Sequence, residues 1–71
     1  MPLDMNGEEL RIGDEVIVMR RGNTIWVGDM QDSIGRSAVI SNSYRLSGDR
    51  VYLDFGNGTR WYYSDTVRKV L

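Results

Sequence analysis

Residues 50–63 read RVYLDFGNGTRWYY, and this stretch decides the fold. In its first half Val51, Leu53 and Phe55 alternate with more polar positions, which is typical of a strand with one buried face. The Asn-Gly pair that follows is the strongest short-range signal for a β-hairpin between two such runs. The sequence therefore predicts strands at 50–55 and 59–63, joined by a tight turn.

Alternation also predicts which aromatic side chains of this hairpin face the interior. If Val51 and Leu53 mark the inner face, Phe55, Trp61 and Tyr63 join them there. Tyr52 and Tyr62 are then expected to point outward as a cross-strand pair. Such a pair serves either to stabilise the hairpin or to form part of a binding surface.

Three other short segments have strand character. Residues 15–20 and 36–41 are rich in β-branched and apolar residues, and 68–71 forms a short closing strand after a 3₁₀ turn at 64–67. A long, irregular connection at 21–34 follows the first strand. Five short strands with a long first loop and a 3₁₀ turn before the last strand predict an all-β fold, a small barrel that hides its sheet edges.

The chain is one small domain of 71 residues. Its first ten residues are polar and include Pro2 and Gly7, so we expect a flexible N-terminal arm at 1–10 and a folded domain at 11–71. With no transmembrane-length apolar run and no signal-peptide pattern, we expect a cytoplasmic protein without a membrane partner.

Composition argues against catalysis. The sequence contains no Cys and no His, which removes disulfides, thiolate chemistry, the commonest general base and the commonest metal ligand. The carboxylates form no distinctive pair or calcium-loop spacing. We therefore expect a non-enzymatic protein that needs no cofactor and no metal.

Charge is balanced overall but uneven along the chain. The net charge is −1; residues 1–35 hold three Arg against seven acids (−4), and residues 36–71 hold six bases against three acids (+3). Eight of the nine bases are Arg, which contacts carboxylates and phosphates through two hydrogen bonds at once and stacks on rings. Domains that bind nucleic acid mainly through phosphates are usually clearly basic, so the overall balance favours a protein partner.

Several short motifs resemble those of the SH3-like barrels, and among them the Tudor group. Residues 12–16 (IGDEV) resemble the opening of their first strand, and residues 54–57 (DFGN) resemble the Tudor Asp-Tyr-Gly-Asn segment. Tyr63-Ser64-Asp65 also matches, and the resemblance covers residues 11–71. Residues 28–40 depart from Tudor and look more like small bacterial and phage SH3-like proteins.

This resemblance implies binding rather than catalysis. Tudor domains hold methylated Lys or Arg in an aromatic cage by cation–π attraction. By that resemblance Phe55 matches the cage Tyr, Tyr52 the aromatic residue three positions earlier, and Asn57 the polar wall. The aromatic residue of the first strand is missing, and Arg20 stands about there. Trp26 in the long loop either substitutes for it, plugs the barrel mouth or forms an exposed anchor.

The leading hypothesis is a protein–protein interaction module, such as a phage protein that binds a host protein. The candidate binding residues are mostly aromatic or Arg: Trp26, Arg50, Tyr52, Phe55, Asn57, Arg60 and Tyr62. Nucleic acid is the alternative partner, since aromatics and Arg in the basic half would form a stacking platform. We expect a monomer or a weak homo-oligomer.

Overall fold

A computed structural model describes residues 2–21, 32–41, 49–56 and 58–70. This part of the chain is all-β and contains five strands with one 3₁₀ turn and no α-helix. The strands are β1 (Glu15–Val18), β2 (Ser37–Ile40), β3 (Arg50–Asp54), β4 (Thr59–Tyr63) and β5 (Val67–Lys69), and the 3₁₀ turn is Ser64–Thr66. The structure confirms the prediction of five strands with a 3₁₀ turn between the fourth and the fifth. Among the described residues no helix is long and apolar enough to cross a membrane.

The five strands form one antiparallel sheet in the order β4-β3-β2-β1-β5. Consecutive strands are neighbours from β1 to β4, and the last strand returns to pair with the first. In that pairing Val16 lies opposite Lys69 and Val18 opposite Val67. The 3₁₀ turn makes this return short, because it redirects the chain from one edge strand to the other within three residues.

The hydrophobic core lies on the inner face of this sheet. β1, β2 and β3 contribute alternate residues, as expected for strands with one buried face, and β4 and β5 contribute one buried residue each. The buried apolar side chains are Leu10, Val16, Val18, Ala38, Ile40, Val51, Leu53, Tyr62 and Val67, and Phe55 packs against them from one end. Most of these are β-branched or aliphatic residues, which pack well on a pleated surface.

The N-terminal segment belongs to this fold, so the prediction of a loose arm at 1–10 is wrong. Leu3 and Glu9 form an antiparallel bridge, and Pro2, Asp4 and Leu10 are buried. The Met5 N–H donates a hydrogen bond to the Val67 carbonyl in β5. The polar composition of the segment hid these contacts, since one of its buried residues is the acidic Asp4 while the apolar Leu3 is exposed.

One buried carboxylate joins this segment to β5. Asp4 Oδ1 accepts hydrogen bonds from the backbone N–H groups of Asn6 and Glu8, and Oδ2 accepts one from Lys69 N at 2.7 Å. Burial by itself raises the pKa of Asp4, but these N–H donors and the charge of Lys69 outweigh it, so the pKa lies below its ordinary value. Asp4 therefore holds the two ends of the chain together in its ionised form.

The β3–β4 hairpin has a different register from the one predicted. Asp54 pairs with Thr59, so the connection has four residues, 55–58, where strands at 50–55 and 59–63 imply three. A shift of one residue turns every side chain of the returning strand to the other face. The predicted faces of β4 are therefore reversed.

The reversal changes the environment of every aromatic residue in β4. Tyr62, predicted to point outward, is 1% exposed and lies in the core opposite Val51. Trp61, predicted to be interior, is 39% exposed, and Tyr63 is half-buried. The predicted cross-strand pair of Tyr52 with Tyr62 is also wrong, because Tyr52 lies opposite Trp61.

Candidate binding site

The outer surface of the hairpin carries a cluster that we call the aromatic face, formed by Arg50, Tyr52, Trp61 and Tyr63. Register places Arg50 opposite Tyr63 and Tyr52 opposite Trp61. Alternation along both strands turns all four side chains away from the core, because their neighbours Val51 and Tyr62 are buried. Three rings and one guanidinium therefore share one surface.

Backbone hydrogen bonding brings these side chains close together. Ser64 N–H donates to the Asp49 carbonyl, which makes that directly opposed pair a hydrogen-bonded one. Opposed pairs alternate along an antiparallel ladder, so the next pair, Arg50 with Tyr63, is non-hydrogen-bonded, as is Tyr52 with Trp61. Cα atoms of such pairs lie only about 4.5 Å apart, which crowds their side chains.

Side-chain contacts fix the Trp61 ring within this face. Its centroid lies 5.4 Å from that of Tyr63 in an edge-to-face arrangement with an interplanar angle of 87°. The Arg50 guanidinium carbon lies 5.5 Å from the Trp61 ring centroid, within the range of a cation–π interaction. Trp61 is thus held on two sides and still presents more than a third of its surface to solvent.

A pocket, which we call the end pocket, lies beside β4 and is separate from the aromatic face. It has a volume of about 320 Å³ and its lining is Ser33, Arg36, Phe55, Gly58, Thr59, Arg60 and Tyr62. The turn before β2 supplies the first two residues, and the β3–β4 hairpin supplies the others. Two guanidinium groups and three hydroxyl groups give this pocket a polar, cationic lining.

A shallow depression on the outer face of β1–β3 has the opposite charge. It is lined by residues that include Glu15, Val39, Asp54 and Phe55. Register aligns Glu15, Val39 and Asp54 in one row across three strands, and the Val39 side chain in the middle is exposed. The outer surface of the sheet is therefore acidic at this end and aromatic and basic at the end near Arg50.

The predicted site residues are separated into two groups by these features. Arg50 and Tyr52 lie on the aromatic face, whereas Phe55, Arg60 and Tyr62 line the end pocket. Trp26 and Asn57 lie outside the described residues. The candidate set is consequently not one contiguous surface.

The cage arrangement that the Tudor resemblance implies is not formed by its two aromatic candidates. Phe55 makes an edge-to-face contact with Tyr62, at a centroid distance of 5.9 Å, and lines the end pocket. Tyr52 lies opposite Trp61 on the outer face. Phe55 therefore packs on the core residue Tyr62, whereas Tyr52 belongs to the outer pair with Trp61, and Arg36 and Arg60 beside Phe55 would repel a cationic ligand.

Sequence reasoning missed Trp61 and Tyr63 as surface residues, and Ser33 and Arg36 as pocket residues. Three consecutive aromatic residues in β4 carry no alternation, so the pattern of β4 alone does not tell which ring faces out. The length of the hairpin connection decides it. Among the described residues, no group of three or more His, Cys, Asp or Glu side chains is placed to hold a metal ion.

Comparison of the chain with protein-family models, with curated proteins and with solved structures finds no match. The choice among functions therefore depends on the geometry of the aromatic face and the end pocket.

Proposed function

We propose that this protein is a non-enzymatic protein-binding module that docks a protein or peptide partner on the aromatic face. The observation that carries this proposal is the exposed Trp61 ring, held in place between Arg50 and Tyr63 on two paired strands. Trp, Tyr and Arg are the residues most enriched at the energetic centres of protein interfaces. All four members of this face are therefore of the types expected at such a centre.

Preorganisation supports this proposal. A side chain that is already fixed loses little conformational entropy when a partner binds, so more of the contact energy becomes affinity. The edge-to-face contact with Tyr63 and the cation–π contact with Arg50 fix Trp61 before any partner arrives. Arg50 is exposed and adds directional donors for a carboxylate or a carbonyl of the partner.

We also propose that the sheet closes into an SH3-like barrel. The strand order β4-β3-β2-β1-β5 and the short 3₁₀ connection between the two edge strands support closure, because they bring the ends of the sheet round the same core. The single cluster of buried residues from all five strands supports it further. Within such a barrel the aromatic face lies on the outer surface of the sheet.

Charge favours a protein over a nucleic acid as the partner. The chain carries a net charge of −1, and Glu15 and Asp54 lie on the same outer side of the sheet as the aromatic face. Those carboxylates would repel a phosphate backbone that extends across the sheet. A protein partner with an apolar anchor for Trp61 and an acidic group for Arg50 meets no such repulsion.

The proposal is tested by capture of binding proteins from a bacterial lysate on immobilised variants of the full chain. The variants are Trp61→Ala, Arg50→Gln and, as a matched control, Ile12→Ala, which truncates an exposed apolar side chain elsewhere. We expect a discrete protein that survives nuclease treatment, is retained by wild type and Ile12→Ala, and is lost or strongly reduced on the other two. Material that disappears with nuclease would establish nucleic acid as the partner, and equal retention on all variants would refute docking on this face.

A further inference from the structure

The end pocket differs from the aromatic face in chemistry and in position. Its lining combines Arg36 and Arg60 with the hydroxyl groups of Ser33, Thr59 and Tyr62, and no acidic side chain lies among its described lining residues. A volume of about 320 Å³ is at the lower end of the range of pockets that hold small organic ligands. The site is thus large enough for a small ligand and is positively charged.

The backbone around Arg36 is held rigidly. Gly35 N–H donates to the Val18 carbonyl at 2.7 Å, and Val18 N–H donates to the Arg36 carbonyl at 3.1 Å. Arg36 N–H in turn donates to the Ser33 carbonyl. These bonds fix the turn against β1, while the exposed Arg36 side chain makes no hydrogen bond or ion pair with the described residues.

The remaining walls provide a polar floor and an apolar side. Tyr62 Oη donates a hydrogen bond to Ser33 Oγ at 3.0 Å in the buried part of the pocket. Phe55 is half-buried and stands edge-to-face against the Tyr62 ring, so it presents a ring surface to the pocket. Gly58 and Thr59 complete the lining.

We infer that the end pocket binds a small organic anion, with its carboxylate or phosphate group at Arg36 and its apolar part against Phe55. A guanidinium donates two parallel hydrogen bonds to either oxyanion, which are among the stronger hydrogen bonds in proteins. Arg60, which has a further interaction of its own, also lines the pocket and adds a second positive charge. This site is independent of the proposed docking on the aromatic face, since the two share no residue.

The test is a titration of the ¹⁵N-labelled full chain, followed by amide chemical shifts. Phenyl phosphate and benzoate are the two anionic probes, and benzyl alcohol is the neutral probe of similar shape. We expect at least one of the two anions to shift the amide signals of Ser33, Arg36, Gly58 and Thr59. Benzyl alcohol should leave those signals unchanged. A response to only one anion identifies the phosphate or the carboxylate as the preferred group.

Charge-matched variants decide whether Arg36 is responsible. Arg36→Gln should weaken binding of the responding anion by about tenfold or more, as expected for the loss of hydrogen bonds to a charged group. Arg11→Gln removes the same charge from an exposed side chain near Glu9 and should leave the affinity within about twofold. The inference is refuted if no anion shifts these amides, if benzyl alcohol shifts them equally, or if the two variants bind alike. Trp61→Ala should bind the anion as wild type does, so this test and the capture experiment fail separately.

Discussion

The Tyr62 hydroxyl group donates a buried hydrogen bond to Ser33 Oγ, with 3.0 Å between the two oxygens. Tyr62 lies in β4, at one edge of the sheet, and Ser33 lies in the turn that leads into β2. The two strands are not neighbours, because β3 lies between them. This contact therefore joins elements across the inner face and sets the floor of the end pocket.

Tyr62→Phe isolates the contribution of that hydroxyl group. We expect the free energy of unfolding to fall by about 1 kcal/mol, the usual net value of one intramolecular hydrogen bond. Urea denaturation of the two proteins measures the difference. The ring and its contact with Phe55 remain, so the variant should stay folded.

The partner variant Ser33→Ala completes a double-mutant cycle. If the hydrogen bond is the interaction lost, the double variant should be less destabilised than the sum of the two single variants. Strict additivity of the two effects would show that Tyr62 and Ser33 do not interact in solution.

Trp61 and Tyr62 are adjacent in sequence, yet truncating them should have very different effects. Tyr62→Ala empties a core position and should cost about 3–5 kcal/mol, as much as the whole stability expected of so small a domain. Trp61→Ala removes an exposed ring with one cation–π and one aromatic contact, and should cost about 1–2 kcal/mol. Circular dichroism should find Trp61→Ala folded and Tyr62→Ala largely unfolded; the reverse order would mean that the hairpin has the three-residue connection.

The sequence was sufficient to predict the strands because their signals are local. Each signal lies within a few consecutive residues: the β-branched runs, the Asn-Gly pair and the polar 3₁₀ segment. Together they predict the bounds of all five strands to within about two residues at each end. The faces of β4 were not predictable in the same way. The faces of β4 depend on whether Phe55 is the last residue of β3 or the first residue of the loop. Both assignments keep the Phe55 ring near the core, so the hydrophobic pattern does not choose between them.

The candidate sites depend on contacts that no local pattern contains. Ser33 and Arg36 join Phe55 and Tyr62 in one pocket only after the sheet has folded, because the chain separates these two pairs by about twenty residues or more. Asp4 likewise finds its partner Lys69 at the opposite end of the sequence. A polar segment that buries one carboxylate has the composition of a loose arm, so composition alone gave the wrong expectation there.

Gly35 is the residue of the end-pocket turn that depends most on its backbone conformation. Its φ of +89° lies in the region that side chains disfavour, and an added Cβ would meet no other atom. Gly35→Ala should therefore destabilise the fold by about 1–2 kcal/mol through backbone strain alone. Gly35→Asn should cost less, because Asn tolerates this region better than Ala. Thermal unfolding of both variants checks the ranking, and an Ala variant as stable as wild type would contradict the conformation of this turn.

Asp4 gives the fold a specific dependence on pH. Its pKa is lower in the folded protein than the ordinary value of about 3.9, so the folded state favours the ionised form. For a carboxyl group with a lowered pKa, the stabilisation is complete above the unfolded value and is lost as the pH falls through the folded value. The contribution of Asp4 should therefore be full above about pH 5 and should decline below about pH 4.

Asp4→Asn tests that dependence directly. The amide keeps one acceptor oxygen but turns an NH₂ group toward a backbone N–H that the carboxylate had satisfied, so we expect a loss of about 1–3 kcal/mol near neutral pH. Below about pH 4 the gap from wild type should shrink, because the unfolded protein, whose Asp4 carboxyl group has the higher pKa, then takes up a proton more readily than the folded protein. Asp65→Asn is the matched control, since the exposed Asp65 side chain accepts no hydrogen bond from a described residue. Urea denaturation of all three proteins across this range measures the gap, and a gap between wild type and Asp4→Asn that stays constant with pH would show that the carboxylate does not hold the N-terminal segment to β5.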